Sequence, residues 1–286
     1  MKLIVNITSI MLLILIAAGS IAARSQSSNR GSQPAKLSKV QFVDKSFMEC
    51  IYEHSNYDPF FDETRIVDWI LEIGRKASRY GNYNEYRLDS IFAADYNGKP
   101  TYDEFDEVYK KVGSCSLTET LKILNENKLN HYEGIFGDYY VYTEELPAFD
   151  WKISNETDEI CGYRCRKATA EFRGRTWDAW YAEEIQISNG PLKFGGLPGL
   201  ILKIEDEKKE HIFEAIQLRK SNKDFGYQLR SFRIPTDRKT FNKMMHDFRS
   251  DVSSFIVNSP LAPKNPDGTP AVPPKRRLFY NPVEID

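Results

Sequence analysis

Apolar and polar residues alternate along most of the chain from residue 40 onward. The alternating segments are short and rich in aromatic and β-branched residues, for example residues 40–43, 139–144, 200–205 and 211–218. Alternation with a period of two predicts half-buried β-strands. Since short polar turns separate these segments, consecutive strands are expected to form an antiparallel meander.

One turn gives a specific pairing. Residues 158–172 and 175–185 both have strand patterns, and Arg173-Gly174 lies between them. So short a connection predicts a β-hairpin.

Helical spacing appears in two places. Residues 102–126 contain two apolar stripes broken at Gly113, with Thr101 and Ser116 as candidate N-caps of two short helices. Thr236 is the candidate cap of a longer helix, whose apolar stripe is Phe241, Met244, Met245, Phe248, Val252 and Phe255. We expect this helix to pack on the sheet.

Together these patterns predict a mainly β (α+β) fold. It consists of a curved antiparallel sheet or half-barrel with a short helical insertion and a C-terminal amphipathic helix. We expect one β-rich domain over residues 39–258, with the insertion at about 102–126. A Pro-rich extended tail follows at 259–286, and residues 276–284 are expected to dock back onto the domain.

The N-terminus predicts export. One lysine, an apolar run and then small residues up to Ala23 form the pattern of a signal peptide over residues 1–23. A polar, disordered leader follows at 24–38. The rest of the chain has no second long apolar run, so we expect no transmembrane span in the mature chain. The expected location is the periplasm, the outer membrane surface or the outside of the cell.

Composition excludes some classes of function. The 39 basic and 41 acidic residues nearly balance, which argues against a nucleic-acid partner. The 4 histidines have no metal-binding spacing, and no phosphate loop or nucleophile elbow is present, so neither a metal nor a cofactor is expected. The four cysteines, Cys50, Cys115, Cys161 and Cys165, permit disulfides in an exported chain or are buried thiols.

The candidate binding residues are aromatic. The set is Trp151, Trp177, Trp180, Tyr181, Lys193 and Phe194. Period-two geometry places Trp177 and Tyr181 on one face of their strand and Trp180 on the other. These residues either pack in the core or line an apolar groove that receives an apolar ligand or a protein segment.

The loop at 190–202 adds a motif, formed by Gly196, Leu197, Pro198, Gly199, Leu200 and Ile201. These residues spell the name motif of the GLPGLI family, and the segments 160–168, 174–181 and 281–284 resemble that family too. The pattern is also similar to the half-barrels of periplasmic lipoprotein carriers. The family consists of exported proteins without an established activity. Because the loop holds no reactive group and turns the chain close to the aromatic residues, we expect it to form the wall of a site and not to act as a catalyst.

The expected function is that of an exported, non-enzymatic binding or cell-envelope interaction protein that uses an aromatic-lined concave sheet face. The alternatives are an exported hydrolase whose carboxylates converge in space, and a structural envelope component without a ligand. Clustered carboxylates with a histidine in a pocket would favour the hydrolase.

Overall fold

The computed structural model describes residues 31–37, 39–229, 233–257, 259, 262–269, 271 and 273–286. The predicted signal peptide at 1–23, and residues 24–30 and 38 of the predicted leader, lie outside the described residues. The chain divides into two compact units, Ser38–Leu88 with Gly113–Asp286, and Met1–Leu37 with Asp89–Val112. No described helix has the length and apolar character needed to cross a membrane.

Fourteen strands dominate the described chain. They are β1 (Lys39–Lys45), β2 (Met48–Asp58), β3 (Glu63–Ile73), β4 (Ala77–Asn82), β5 (Glu119–Ile123), β6 (Lys128–Ile135), β7 (Asp138–Glu145), β8 (Lys152–Ile160), β9 (Tyr163–Phe172), β10 (Arg175–Ala182), β11 (Leu200–Asp206), β12 (His211–Lys220), β13 (Asp224–Leu229) and β14 (Arg233–Thr236).

Twelve of these strands form one sheet in the order β14-β7-β6-β5-β4-β3-β2-β12-β11-β10-β9-β8, and β1 pairs with β13 in a second sheet. All pairs are antiparallel except β14 with β7. The predicted mainly β, antiparallel fold is confirmed, and the sheet does not close into a barrel.

The β9–β10 hairpin is confirmed as well. Its turn residues Arg173 and Gly174 have φ of 52° and 82°. Positive φ at both central positions gives a turn whose twist matches that of the strands it joins. Alternate residues of β10 are buried, among them Trp177 and Tyr181.

Helix prediction succeeded only in part. Helix α2 (Tyr102–Val112) begins at the predicted capping box, where Thr101 N–H donates to Glu104 Oε2 at 2.6 Å. The second predicted helix is wrong, because Glu119–Ile123 forms β5 between β4 and β6. Pairing with two neighbouring strands overrides the local helical spacing.

The structure contains a further helix, α1 (Tyr83–Asp95), which the sequence patterns described above do not predict. In the smaller unit, Phe92 of α1 stacks on Phe105 of α2 with 5.3 Å between ring centroids. This contact buries Phe92, so aromatic packing supports a helix whose own sequence is only weakly amphipathic.

The C-terminal helix is interrupted. Helix α3 (Arg238–Ser250) is capped by Asp237, whose carboxylate accepts from Thr240 N, and not by Thr236 as expected. Helix α4 (Val252–Val257) follows after a break at Asp251. Phe241 and Met245 of α3 pack against β6 and β7, as the apolar stripe predicts.

Candidate functional site

One transverse row of side chains crosses the solvent-facing side of six adjacent strands. Antiparallel register places its members directly opposite one another, strand by strand. We call this set the polar row, and it consists of Lys167, Trp180, Lys203, Glu214, Glu53 and Asp68. Adjacent strands lie about 4.8 Å apart, so the row is roughly 24 Å long.

Trp180 is held at one end of the polar row by cations from both neighbouring strands. The ammonium groups of Lys167 and Lys203 each lie 5.5 Å from its ring centroid. Lys167 also lies 3.0 Å from Asp178, and this hydrogen bond raises the pKa of Lys167. Cation–π contacts and ion pairs therefore fix the half-buried indole at the surface.

Glu53 and Asp68 occupy the other end. They lie opposite each other on β2 and β3, so their Cβ atoms are about 5 Å apart. Among the described residues, neither carboxylate has a hydrogen-bond or ion-pair partner. Like charges placed directly opposite destabilise a sheet, so the fold keeps an unfavourable pair at an accessible surface.

Such a pair has a defined chemical capacity. Two carboxylates a few ångströms apart supply a base that activates water and an acid that protonates a leaving group. Glu214, the next member of the row, is held 3.0 Å from Lys203 and lies beside this pair.

The predicted aromatic residues divide between the two sides of the sheet. Trp177, Tyr181 and Phe194 are fully buried, with 4.7 Å between the ring centroids of Trp177 and Phe194. Trp151 is half-buried, and its Nε1 donates to Gly195 O at 2.9 Å. Trp180 alone of this set lies on the polar row. Whether the other predicted aromatics contact a ligand stays a prediction.

The glycine-rich loop connects β10 to β11, as its place in the sequence predicts. Leu197, Leu200 and Ile201 are buried, whereas Gly196 and Pro198 are exposed. A Cβ on Gly199 would collide with Ala182 O. The motif residues therefore pack closely against β10.

Lys193, a member of the candidate binding set and part of this loop, is buried. Its Nζ donates to Glu144 Oε1 at 2.7 Å and to Tyr142 OH at 2.9 Å, and it lies 2.5 Å from Glu284 Oε1. Burial raises the pKa of Glu284, but Lys193 and nearby arginines outweigh it and hold that pKa below its usual value. Lys193 thus ties the loop to β7 and to the C-terminal segment.

Sequence reasoning missed a second buried lysine. Lys122 Nζ donates to Asn189 Oδ1 at 2.9 Å, Gly190 O at 3.0 Å and Phe194 O at 2.6 Å. Burial lowers the pKa of Lys122 to about 7. No pattern near residue 122 reveals this role, because its partners are about 70 residues away in sequence.

The C-terminal segment docks on the sheet, as predicted for residues 276–284. Arg175 is buried, lies 2.8 Å from both Asp206 and Glu210, and donates to Asn281 Oδ1 at 2.7 Å. His211 packs beside this cluster, and burial lowers its pKa to about 3. The cluster contains carboxylates and a histidine, but it is enclosed by the docked segment, unlike the polar row.

No disulfide joins the described cysteines. Cys50 and Cys165 are buried and Cys161 is exposed, while Cys115 Sγ lies 3.7 Å from Gly113 O. Burial raises the pKa of the Cys50 and Cys165 thiols. Within the described ranges, no group of three or more His, Cys, Asp or Glu side chains could hold a metal ion.

Comparison with known proteins gives one family. Residues 120–241, less than half of the chain, match the model of the N-glycanase peptide, N-terminal domain. Solved structures of PNGF-II in two crystal forms are similar at 15% and 16% identity, both with a TM-score of 0.47. They cover 71% of this chain, which spans only 34% and 33% of theirs. No curated protein matches.

These findings correct two expectations. The matching family differs from the GLPGLI family and from the lipoprotein carriers, so the resemblance drawn from the loop motif is wrong. The motif residues are explained by packing of the β10–β11 connection, which does not require membership of that family. The expected non-enzymatic binding or envelope-interaction function is corrected too, because the family that matches is named for an enzyme.

Proposed function

We propose that this protein is a hydrolase that acts on protein-linked glycans, with its substrate lying along the polar row. The observation that carries the proposal is the register that aligns the unpaired Glu53 and Asp68 with Trp180 on one accessible sheet face. The similarity of residues 120–241 to an N-glycanase domain supports the class of substrate; that range includes Trp180 and Glu214 but not Glu53 and Asp68.

The dimensions of the polar row suit an oligosaccharide. A sugar unit is roughly as long as the spacing between strands, so each unit meets a new row member. Hydroxyl groups need donors and acceptors at close intervals, and the row supplies two ammonium groups around Trp180 and three carboxylates at the other end. Trp180 supplies an apolar surface for the sugar ring.

Glu53 and Asp68 would carry the reaction. One carboxylate takes a proton from water, whose oxygen attacks the carbon at the bond between the glycan and its carrier. The other carboxyl group is protonated at this stage and gives its proton to the leaving atom, so one water is consumed for each bond broken and the two carboxyl groups end with their protonation exchanged. Glu214 and Lys203 would position the neighbouring sugar.

Glycan release from a glycoprotein tests the proposal. The full chain is incubated with a denatured glycoprotein that carries Asn-linked glycans, and released glycan is measured by mass spectrometry. We expect Glu53→Gln and Asp68→Asn each to lower the rate by about 100-fold, since each removes a proton-transfer group.

Glu159→Gln is the matched control, because Glu159 is an exposed carboxylate on the edge strand β8. It should leave the rate unchanged. Binding of the glycoprotein without release of glycan would contradict the hydrolase, as would equal rates for the wild type and both row variants.

A further inference from the structure

Part of strand β3 has an open backbone edge. Residues 63–68 pair with β2 on one side, whereas pairing with β4 begins only at Trp69. The cause is local. Asn82 ends β4 by accepting a hydrogen bond from Glu85 N at 3.1 Å, so the chain turns into α1 where it would otherwise cover β3.

This open edge is exposed on both sides. The side chains of residues 64–67 are all exposed, with 60% exposure at Ile66 and 38% at Val67, which point to opposite faces. No backbone hydrogen bond from another described residue reaches the outer side of residues 63–68. Its N–H and C=O groups therefore remain available to an added strand.

The terminal edge at β8 differs. It carries Lys152, Glu156, Asp158 and Glu159, and its register is broken between Ile153 and Thr157. Charge and irregular pairing are the usual protection of an edge against unwanted strands. The β3 edge also carries charges, on Glu63, Arg65 and Asp68, but it presents two consecutive exposed apolar residues, Ile66 and Val67, and has no break in its register with β2.

The open edge also adjoins the polar row. Asp68 is both the last residue of the open edge and the end member of the row. A strand added beside β3 would lie about 4.8 Å from it and would extend the row by one position. A side chain opposite Asp68 would then emerge on the same face as Glu53 and Trp180.

We propose that residues 63–68 bind the polypeptide part of a glycoprotein substrate in extended form, as an added β-strand. The inference rests on the proposed function and names its substrate, an unfolded segment whose glycosylated side chain lies opposite Asp68. Main-chain hydrogen bonds give affinity for any sequence, and Ile66 and Val67 favour apolar neighbours of the glycosylated residue. The glycan then runs over the polar row toward Trp180.

A backbone methylation scan tests strand addition. The probes are synthetic nine-residue peptides with one central glycosylated Asn, each carrying one N-methyl group, and binding to the full chain is measured by fluorescence polarisation. In an added strand, alternate N–H groups face β3. Methylation at these positions should weaken binding about tenfold, and methylation at the intervening positions less than twofold.

Hydrogen exchange provides a second measurement on the protein. Alternate amides within residues 63–68 should exchange rapidly in the free chain and become protected when the unmethylated peptide is bound. Amides of β8 at residues 152–160 serve as the control and should not change.

The outcomes separate the two proposals. Alternating methylation effects without release of glycan would contradict the hydrolase and leave strand addition in place. Release of glycan with no alternation and no protection of residues 63–68 would overturn strand addition and leave the hydrolase. A methylation effect that is equal at every peptide position would also overturn strand addition.

Discussion

Lys122 should make the stability of this protein rise with pH above neutrality. The residue is 4% exposed, and burial lowers its pKa from 10.5 to about 7. Between these values the unfolded chain keeps a proton that the folded chain loses. Because the unfolded state then binds more protons, the free energy of unfolding increases with pH across this window and levels off outside it.

The magnitude follows from the size of the shift. At 1.36 kcal/mol per pKa unit, the lowering of the pKa from 10.5 to about 7 increases the free energy of unfolding by roughly 5 kcal/mol between these two pH values. This is an upper limit, because the hydrogen bonds from Lys122 to Asn189, Gly190 and Phe194 favour the charged form.

Urea unfolding at pH 7, 8, 9 and 10 measures the effect, with tryptophan fluorescence as the signal. We expect the wild type to gain stability over Lys122→Met by one to several kcal/mol as pH rises. Lys128→Met is the matched control, since Lys128 is exposed, and it should follow the wild type. A constant difference between wild type and Lys122→Met at all four pH values would refute the reasoning.

Three further predictions concern packing. Gly199→Ala should lower stability by about 1–3 kcal/mol through its collision with the β10 backbone, whereas Gly195→Ala meets no atom closer than 3.6 Å and should be tolerated in the same thermal unfolding assay. Trp177→Ala should lower the free energy of unfolding by about 3–5 kcal/mol, because Trp177 is fully buried. Trp180→Ala should mainly raise the KM for glycoprotein. Equal destabilisation by the two substitutions would contradict the assignment of these residues to opposite faces of the sheet. Arg175→Met should speed hydrogen exchange in residues 280–286, and unchanged exchange would show that the segment docks without it.

Sequence and structure agree where the signal is local. The alternation in β10, the turn at Arg173-Gly174 and the capping box at Thr101 all correspond to observed elements. They disagree where tertiary contacts override local preference. Leu121 has helical spacing but lies in β5, which is stabilised by pairing with β4 and β6.

The candidate site shows the same division. Sequence alone placed Trp180 on the face opposite Trp177, because side chains alternate along a strand. It could not place Glu53 beside Asp68 or Glu214, since that depends on strand order and register. Carboxylates are so frequent in this chain that no pair stands out without the pairing.

The sequence by itself thus determined the mainly β class, the hairpin at Arg173-Gly174 and the opposite faces of Trp177 and Trp180, because these depend on contacts between near neighbours. Only the tertiary structure decided which faces meet. It aligned six strands into the polar row, buried Lys122 against a loop about 70 residues away and left the edge of residues 63–68 open. These features arise from pairings between distant segments, whose register depends on the fold as a whole.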